Sequence, residues 1–317
     1  VIIYIIMTLR MNMKKVLSLI AVFVLIFSLV SCGKTRREDN GKPNIIATLF
    51  PQYDFARAIV GDKANVKMLL SPGTDSHDYD PTPSAALEIS QCDLFIYTGD
   101  NMETWAATLL TNVDRQKVYV LDCTQGIEFK SSDDDHEHGH EHELDPHVWT
   151  SPVNAKKMVE NILDAVCSVD GENADYYKTN AEEYIKQLDA LDAEFREVVA
   201  NGTRKEVVFG SRFALKYFAD EYGLSYTAAI ASCESEDEPS VSVMNAIIEK
   251  VKTEHIPVVY YEELSEPRIA QKIAEETDCK IRQFHSCHNV SKDEFDRGVT
   301  YIDLMKENAK VLKEGLD

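Results

Sequence analysis

Short apolar runs that alternate with helical patterns are the feature that most constrains the fold of this chain. Before residue 130, the runs that predict buried strands are 44–49, 66–70, 94–97 and 118–121, and the helical patterns between them are 53–59, 84–89 and 103–112. This alternation is typical of a parallel sheet with covering helices. Strand-like runs return at 206–209, 256–261 and 280–284. The sequence therefore predicts an α/β protein with two lobes.

A long helical pattern between the two halves predicts a stiff connection. Residues 173–200 contain no Pro or Gly, and Asn201-Gly202 follows them as a helix C-cap would. The apolar residues recur at steps of three and four and form one stripe: Tyr184, Leu188, Leu191, Phe195 and Val198. We expect lobes at 43–172 and 201–317, a spine helix at 173–200, and a ligand cleft between the lobes.

The first 32 residues predict an export signal rather than part of the fold. Lys14-Lys15 precedes an apolar run over 16–30, which is too short for a membrane-spanning helix of about 20 residues. The run ends in LVSCG, which resembles the lipidation signal of bacterial lipoproteins, with Cys32 as the modified residue. We expect a tether over 33–42 and a protein held at the outer face of the cytoplasmic membrane; a plain N-terminal anchor is the alternative.

The composition argues against two classes of protein. The formal net charge of −21 opposes nucleic-acid binding, because that needs clustered Lys and Arg to neutralise phosphates. None of the seven cysteines forms a CxxC pair, which excludes a Cys-rich zinc ribbon. Nothing in the composition predicts an oligomer, so we expect a monomer.

The acidic segment DDDHEHGHEHE, residues 133–143, holds the densest group of histidines. It has no apolar residue and predicts a mobile loop. Imidazoles this close together bind zinc, copper or nickel loosely. They belong to His136, His138, His140 and His142. The segment also matches HExxH, the zinc-binding motif of metalloproteases. Such a protease needs both histidines on one face of a buried helix, so we reject the hypothesis of a protease site here.

Two further histidines lie in Pro-rich segments that follow predicted strands. His77 lies in PGTDSHDYDPTP, residues 72–83, and His147 lies in DPHVWTSP, residues 145–152. With EPS at 238–240 and YIDLMKEN at 301–308, these segments resemble the metal-binding receptors of zinc and manganese ABC importers, the ZnuA/TroA-like group. The likeness covers nearly all of 43–317. It implies two lobes on a spine helix, with His77 and His147 as metal ligands and a membrane permease as partner.

The second lobe departs from this family pattern. Many members supply a third ligand from a segment F-H-x-A-F-x-Y-F, whereas this chain has FGSRFALKYF at 209–218, which places Arg212 at the ligand position. A guanidinium cannot ligate a cation. We assign the third ligand to His285 in FHSCHN, residues 284–289, with His288 as the substitute. Three imidazoles completed by water or a carboxylate favour Zn²⁺, with Mn²⁺ as the alternative.

Other residues near these segments are candidates for supporting the metal. We expect Arg212 to hold an acidic partner, with Glu262 the candidate, and we count Asp145 among the candidate ligands or their partners. Cys233 and Cys287 lie in loops beside the expected site, so we predict a disulfide between them. Ligation of zinc by the Cys287 thiolate is the rival.

These features predict a binding protein rather than an enzyme. The leading hypothesis is a lipid-anchored receptor that captures zinc between its lobes and passes it to an importer. A zinc hydrolase is the alternative, because three histidines and an open water position also suit catalysis. An adhesin is a third hypothesis, for which the sequence offers no distinct motif.

Overall fold

The first lobe is built on a four-stranded parallel sheet with strand order β2-β1-β3-β4. The protein is described by a computed structural model that covers residues 40–75, 79–131, 144–230 and 238–317. In chain order the elements are β1 (Asn44–Ala47), α1 (Phe50–Val60), β2 (Asn65–Met68), α2 (Pro83–Ile89), β3 (Leu94–Tyr97), α3 (Ala106–Leu110), β4 (Tyr119–Asp122), β5 (Lys130–Ser131) and β6 (Leu144–Asp145). Strands β5 and β6 form a separate antiparallel pair.

Two long helices connect this lobe to a second parallel sheet with strand order β10-β9-β7-β8. The remaining elements are α4 (Pro152–Val169), α5 (Ala174–Asn201), β7 (Glu206–Phe209), α6 (Lys216–Tyr222), β8 (Ser225–Ala228), α7 (Val241–Thr253), β9 (Val258–Tyr261), α8 (Arg268–Glu275), β10 (Lys280–Gln283), α9 (Lys292–Asp296) and α10 (Tyr301–Leu316). The predicted α/β fold with two sheets is confirmed. Among the described residues, no helix combines the length and the apolarity needed to cross a bilayer.

Strand β8 was not predicted from the sequence. Its residues, SYTA, are partly exposed because β8 lies at the edge of the second sheet and pairs only with β7. SYTA lacks the continuous apolar run by which the other parallel strands were recognised.

The central strands of both sheets, β1, β3, β7 and β9, are buried on their two faces, which explains their near-continuous apolar sequences. In the first sheet, Ile45 packs into the large core shared by the two lobes, while the next residue, Ile46, packs into a smaller core with α2 and α3. In the second sheet, Val207 faces the shared core and Val208 faces α7 and α8. The apolar faces of five helices also pack into the shared core: α1, α4, α5, α6 and α10.

The spine helix is α5, close to the predicted bounds. Its buried stripe begins earlier than predicted and ends at Val199 rather than Val198, because a helix of 3.6 residues per turn drifts against steps of three and four. Gly202 is the C-cap residue, as predicted, and it ends the helix in an extended conformation at φ −67° and ψ 143°. A Cβ at Gly202 would lie 2.7 Å from Cβ of Leu316, so close packing is what requires glycine here.

Much of the family-like sequence has a structural role at helix starts. Thr82 Oγ1 accepts a hydrogen bond from Ala85 N and caps α2, and Ser151 Oγ accepts from Asn154 N and caps α4. In EPS, Ser240 caps α7 in the same way. The prolines Pro83 and Pro152 occupy the first helical turn, where a missing N–H is harmless. Among the residues of these motifs, the histidines are therefore the main candidates for binding a metal.

Candidate metal centre

His147 lies on the first lobe just after β6, and its ring is fixed by one carboxylate. It is fully buried, and Asp145 Oδ1 lies 2.6 Å from His147 Nδ1 and 2.8 Å from His147 N. Burial raises the pKa of Asp145, but the hydrogen bonds and charge of His147 outweigh burial and leave that pKa below its usual value. A carboxylate at Nδ1 favours the Nδ1–H tautomer, which turns the lone pair of Nε2 toward a metal.

His288 lies on the second lobe in the loop after β10, and a hydroxyl group supports its ring. Ser286 Oγ is hydrogen-bonded to His288 Nδ1 and also donates to Glu263 Oε1 at 2.6 Å. The backbone N–H of Ser286 donates to Glu263 Oε2 at 2.7 Å. A buried carboxylate thus supports the His288 ring as well, but it does so indirectly, through the Ser286 hydroxyl.

The two rings meet where the lobes meet. The centroids of His147 and His288 are 4.5 Å apart, and Trp149 packs edge-on against both rings, at 5.5 Å from His147 and 5.1 Å from His288. The indole N–H of Trp149 donates to Ser286 O at 2.9 Å, which ties the first lobe to the loop of His288. Imidazoles this close can share one ion, since each Zn–N bond is about 2.0–2.1 Å.

His285, the residue assigned as the third ligand from the sequence, is held differently. Its Nδ1 accepts a hydrogen bond from Cys287 N at 2.9 Å, so the neutral ring carries its proton on Nε2. That Nε2 is buried and has no hydrogen-bond partner among the described residues. An Nε2–H cannot ligate a metal. The structure brings His288, and not His285, into ring contact with His147.

Beside His288 lies a cavity of about 100 Å³ that contains opposite charges. Arg212 lines this cavity, and its Nη2 donates to Asp75 Oδ2 on the first lobe at 3.2 Å. Burial, with the charge of Glu263 adding to it and those of Arg212 and His147 opposing it, raises the pKa of Glu262 from 4.5 to about 8. Arg212 thus acts on Glu262 through its charge, while the hydrogen bond described for it is with Asp75.

The loop at 71–75, which precedes His77, is fastened to the second lobe. The side-chain amide of Asn289 donates to Ser71 O at 2.8 Å and to Thr74 O at 2.9 Å, and Gly73 N donates to Val290 O at 2.8 Å. Asn289 is buried. No sequence pattern indicated this role for Asn289, because an Asn in a loop ordinarily indicates a turn.

Cys287 is a buried free thiol, so the predicted disulfide with Cys233 is not formed. Cys233 itself lies outside the described residues. The Cys287 side chain belongs to the shared apolar core, and burial raises the pKa of its thiol well above the usual value, with the charge of Glu263 adding to the effect. A thiol in that state is a poor zinc ligand.

Several predicted site residues lie outside the described part of the chain. They are His77, Cys32 and the histidines of the acidic segment, His136, His138, His140 and His142. Within the described residues, no group of three or more His, Cys, Asp or Glu side chains is arranged to hold a metal. His147 and His288 are the two imidazoles that the described structure brings together.

Comparisons with known proteins decide the family. Residues 45–315 match the family described as zinc-uptake complex component A, periplasmic. The chain belongs to this family. It is similar to the high-affinity zinc uptake system protein ZnuA of Bacillus subtilis, with 32% identity over 315 residues, which cover 96% of this chain and 98% of that protein.

A second relative is longer than this chain. The zinc-binding lipoprotein AdcA of Streptococcus pneumoniae is 35% identical over 312 residues, and the match covers 96% of this chain but only 62% of AdcA. The solved Zn(II)-bound ZnuA-like domain of that AdcA is 33% identical, with a TM-score of 0.75, and the match covers 87% of this chain and all of that domain (100%). The two-lobed fold is therefore that of the ZnuA-like domain.

Proposed function

We propose that this chain is an extracytoplasmic receptor that captures Zn²⁺ between its two lobes and delivers it to an ABC-type importer. The observation that carries the proposal is the pair His147 and His288. These two imidazoles come from different lobes, lie 4.5 Å apart, and each has Nδ1 engaged in a hydrogen bond. Such an arrangement supports metal capture by Nε2 atoms from both lobes.

The proposed ligand set is His77, His147 and His288. His77 is retained from the family likeness. His288 replaces His285, because it contacts His147 and because Nδ1 of His285 accepts a backbone N–H. Water or a carboxylate such as Glu262 completes the coordination.

The proposed cargo follows from the ligand types. Three neutral imidazoles suit tetrahedral zinc, whereas manganese prefers oxygen ligands and more of them. The names of the relatives ZnuA and AdcA also support zinc. Because ligands come from both lobes, bound metal would favour the closed form, which a permease can distinguish from the empty one.

The proposed location is the outer face of the cytoplasmic membrane, with Cys32 lipidated. The support is the LVSCG sequence at the end of an apolar run and the lipoprotein name of AdcA. Mass spectrometry of the protein purified from membranes tests this. A diacylglycerol adduct on an N-terminal Cys32 is expected, and a chain that retains the residues before Cys32 would contradict it.

The proposal is tested by titrating the metal-stripped full chain with zinc and with manganese against a tight competing chelator. A chelator of high affinity masks the loose sites expected in residues 133–143. We expect one tight zinc site, weaker manganese binding, and no hydrolysis of a panel of esters and peptides by the zinc-loaded chain. Tight manganese binding without tight zinc, or zinc-dependent hydrolysis that is lost in His147→Ala, would overturn the proposal.

A further inference from the structure

We infer that Glu263, acting through Ser286, is a positioning residue that sets the proton of His288 on Nδ1 and so makes Nε2 the metal-binding atom. This inference rests on the proposed function, because it assigns a task to residues behind one proposed ligand. It concerns a carboxylate and a hydroxyl that are not themselves ligands.

The direction of the hydrogen bonds carries the inference. A serine hydroxyl has one proton, and that of Ser286 is donated to the Glu263 carboxylate at 2.6 Å. Oγ must then act as the acceptor toward His288 Nδ1, to which it is hydrogen-bonded. His288 consequently carries its proton on Nδ1, and the lone pair is on Nε2.

Ser286 is fixed at each of its polar groups. Its N–H and its hydroxyl both bind the Glu263 carboxylate, and its carbonyl accepts the indole N–H of Trp149 at 2.9 Å. Both Glu263 and Ser286 are buried. A hydroxyl held in this way cannot turn its proton toward the imidazole without breaking the bond to Glu263, so the tautomer is fixed before metal arrives.

Backbone strain supports a functional role for this arrangement. Leu264 follows Glu263 with φ 58°, and Cys287 lies between Ser286 and His288 with φ 63°. In the described part of the chain, one other non-glycine residue has a positive φ. Left-handed backbone is unfavourable for such residues, and it concentrates where a site requires a side chain to be placed against local preference.

Three variants of the full chain test the inference. Ser286→Ala removes the link, Ser286→Thr keeps a hydroxyl, and Glu263→Gln reverses the link, because the Gln amide donates to Oγ and frees the hydroxyl proton for His288 Nδ1. Ser168→Ala is the matched control, since Ser168 Oγ donates to Asp164 O within α4 and contacts no histidine in the hydrogen bonds described. Zinc affinity is measured by chelator competition, and the tautomer of His288 in the metal-free chain by long-range ¹H–¹⁵N NMR.

We expect Ser286→Ala to weaken zinc binding about 10–100-fold, the range typical of an outer-shell partner of a metal-binding histidine. Ser286→Thr and Ser168→Ala should stay near the parent in zinc affinity. Glu263→Gln should move the His288 proton to Nε2, an effect that a merely structural role would not produce.

The inference is overturned if Ser286→Ala binds zinc as the parent does, or if His288 keeps one tautomer in all variants. His288→Ala separates this failure from that of the proposed function. Weak zinc binding in His288→Ala with normal binding in Ser286→Ala removes the role of Ser286 and leaves His288 a ligand. Unchanged binding in His288→Ala removes both.

Discussion

The two histidines at the centre of the cleft are supported in different ways. His147 is fully buried, and its carboxylate, Asp145, binds Nδ1 directly at 2.6 Å from within the same short segment. His288 is half-buried, and its carboxylate, Glu263, comes from the loop after β9 and acts through Ser286. A single local motif, DPH, is sufficient on the first lobe, whereas the second lobe needs residues from two loops. The ligand on the first lobe is therefore oriented by its own local segment, whereas the orientation of the ligand on the second lobe depends on tertiary packing.

The largest effect should follow removal of the directly supported ligand. His147→Ala removes one of three imidazoles and leaves buried Asp145 with the backbone N–H of residue 147 but without the ring N–H. We expect zinc affinity to fall by more than the roughly 100-fold upper end for an outer-shell partner. Chelator competition measures it, with His255→Ala, an exposed histidine at the end of α7, as control. Similar affinities for the two variants would exclude His147 as a ligand.

The next largest effects should follow removal of the groups that orient the two histidines, which are Asp145 for His147 and Ser286 for His288. Asp145→Ala removes the bond to Nδ1 directly, so we expect a loss near the upper end of about 10–100-fold, with Ser286→Ala nearer the lower end. Both losses are read from the same zinc titration. A greater loss in Ser286→Ala than in Asp145→Ala would reverse the comparison and make the second lobe the dominant support.

A smaller effect is expected where the second lobe holds the loop at 71–75. Asn289→Ala removes two hydrogen bonds between lobes and should lower the free energy of unfolding by about 1–3 kcal/mol. Hydrogen exchange at the Gly73 amide, which donates to Val290 O, should quicken.

Asn161→Ala is the matched control for Asn289→Ala. The Asn161 amide also donates to two carbonyls, those of Cys123 and Gln125, but within one lobe. It should change stability without changing exchange at Gly73. Equal exchange at Gly73 in the two variants would show that Asn289 does not hold the lobes together.

The smallest effect on zinc affinity concerns a buried carboxylate that contacts no histidine in the hydrogen bonds described. Glu103 accepts hydrogen bonds from Thr48 Oγ1 and from Thr98 N, and burial raises its pKa from 4.5 to about 8. The neutral form is thus favoured by folding, and this contribution to stability is present below pH 4.5 and is lost as the pH rises through about 8.

Glu103→Gln should remove that dependence on pH. The difference in unfolding free energy between the parent and this variant should shrink from pH 4.5 to pH 8, and zinc affinity should remain unchanged. Denaturant unfolding across this range measures it. A difference that stays constant with pH would show that the Glu103 carboxyl ionises in the folded chain as it does in the unfolded one.

The fold could be predicted from the sequence because the central strands of both sheets are buried on both faces and have apolar sequences. Runs such as LFIY at 94–97 and EVVF at 206–209 coincide with β3 and β7. The partly exposed edge strand β8 lacked this signal. Gly202 was correctly predicted to end the spine helix, but its close packing against Leu316 could not be predicted, because that contact depends on a distant helix.

The site was predicted unevenly for the same physical reason. The DPH motif contains both His147 and its carboxylate, so the sequence of this one short segment was enough to predict both residues. Spacing alone left His285 and His288 as alternatives. The deciding contacts come from Cys287 N, Ser286 and Glu263, whose directions depend on a left-handed backbone at Cys287 that the sequence did not indicate. The predicted disulfide was wrong because Cys287 points into the core.

The most direct test of the central claim, that ligands from both lobes meet through His147 and His288, is a paired zinc titration of His288→Ala and His285→Ala in the metal-stripped full chain. Both variants remove one imidazole from the same loop, so they differ chiefly in which ring is lost. We predict that His288→Ala loses the tight zinc site and that His285→Ala keeps it. A tight site that survives in His288→Ala and disappears in His285→Ala would exclude His288 as a ligand and assign the second-lobe ligand to His285.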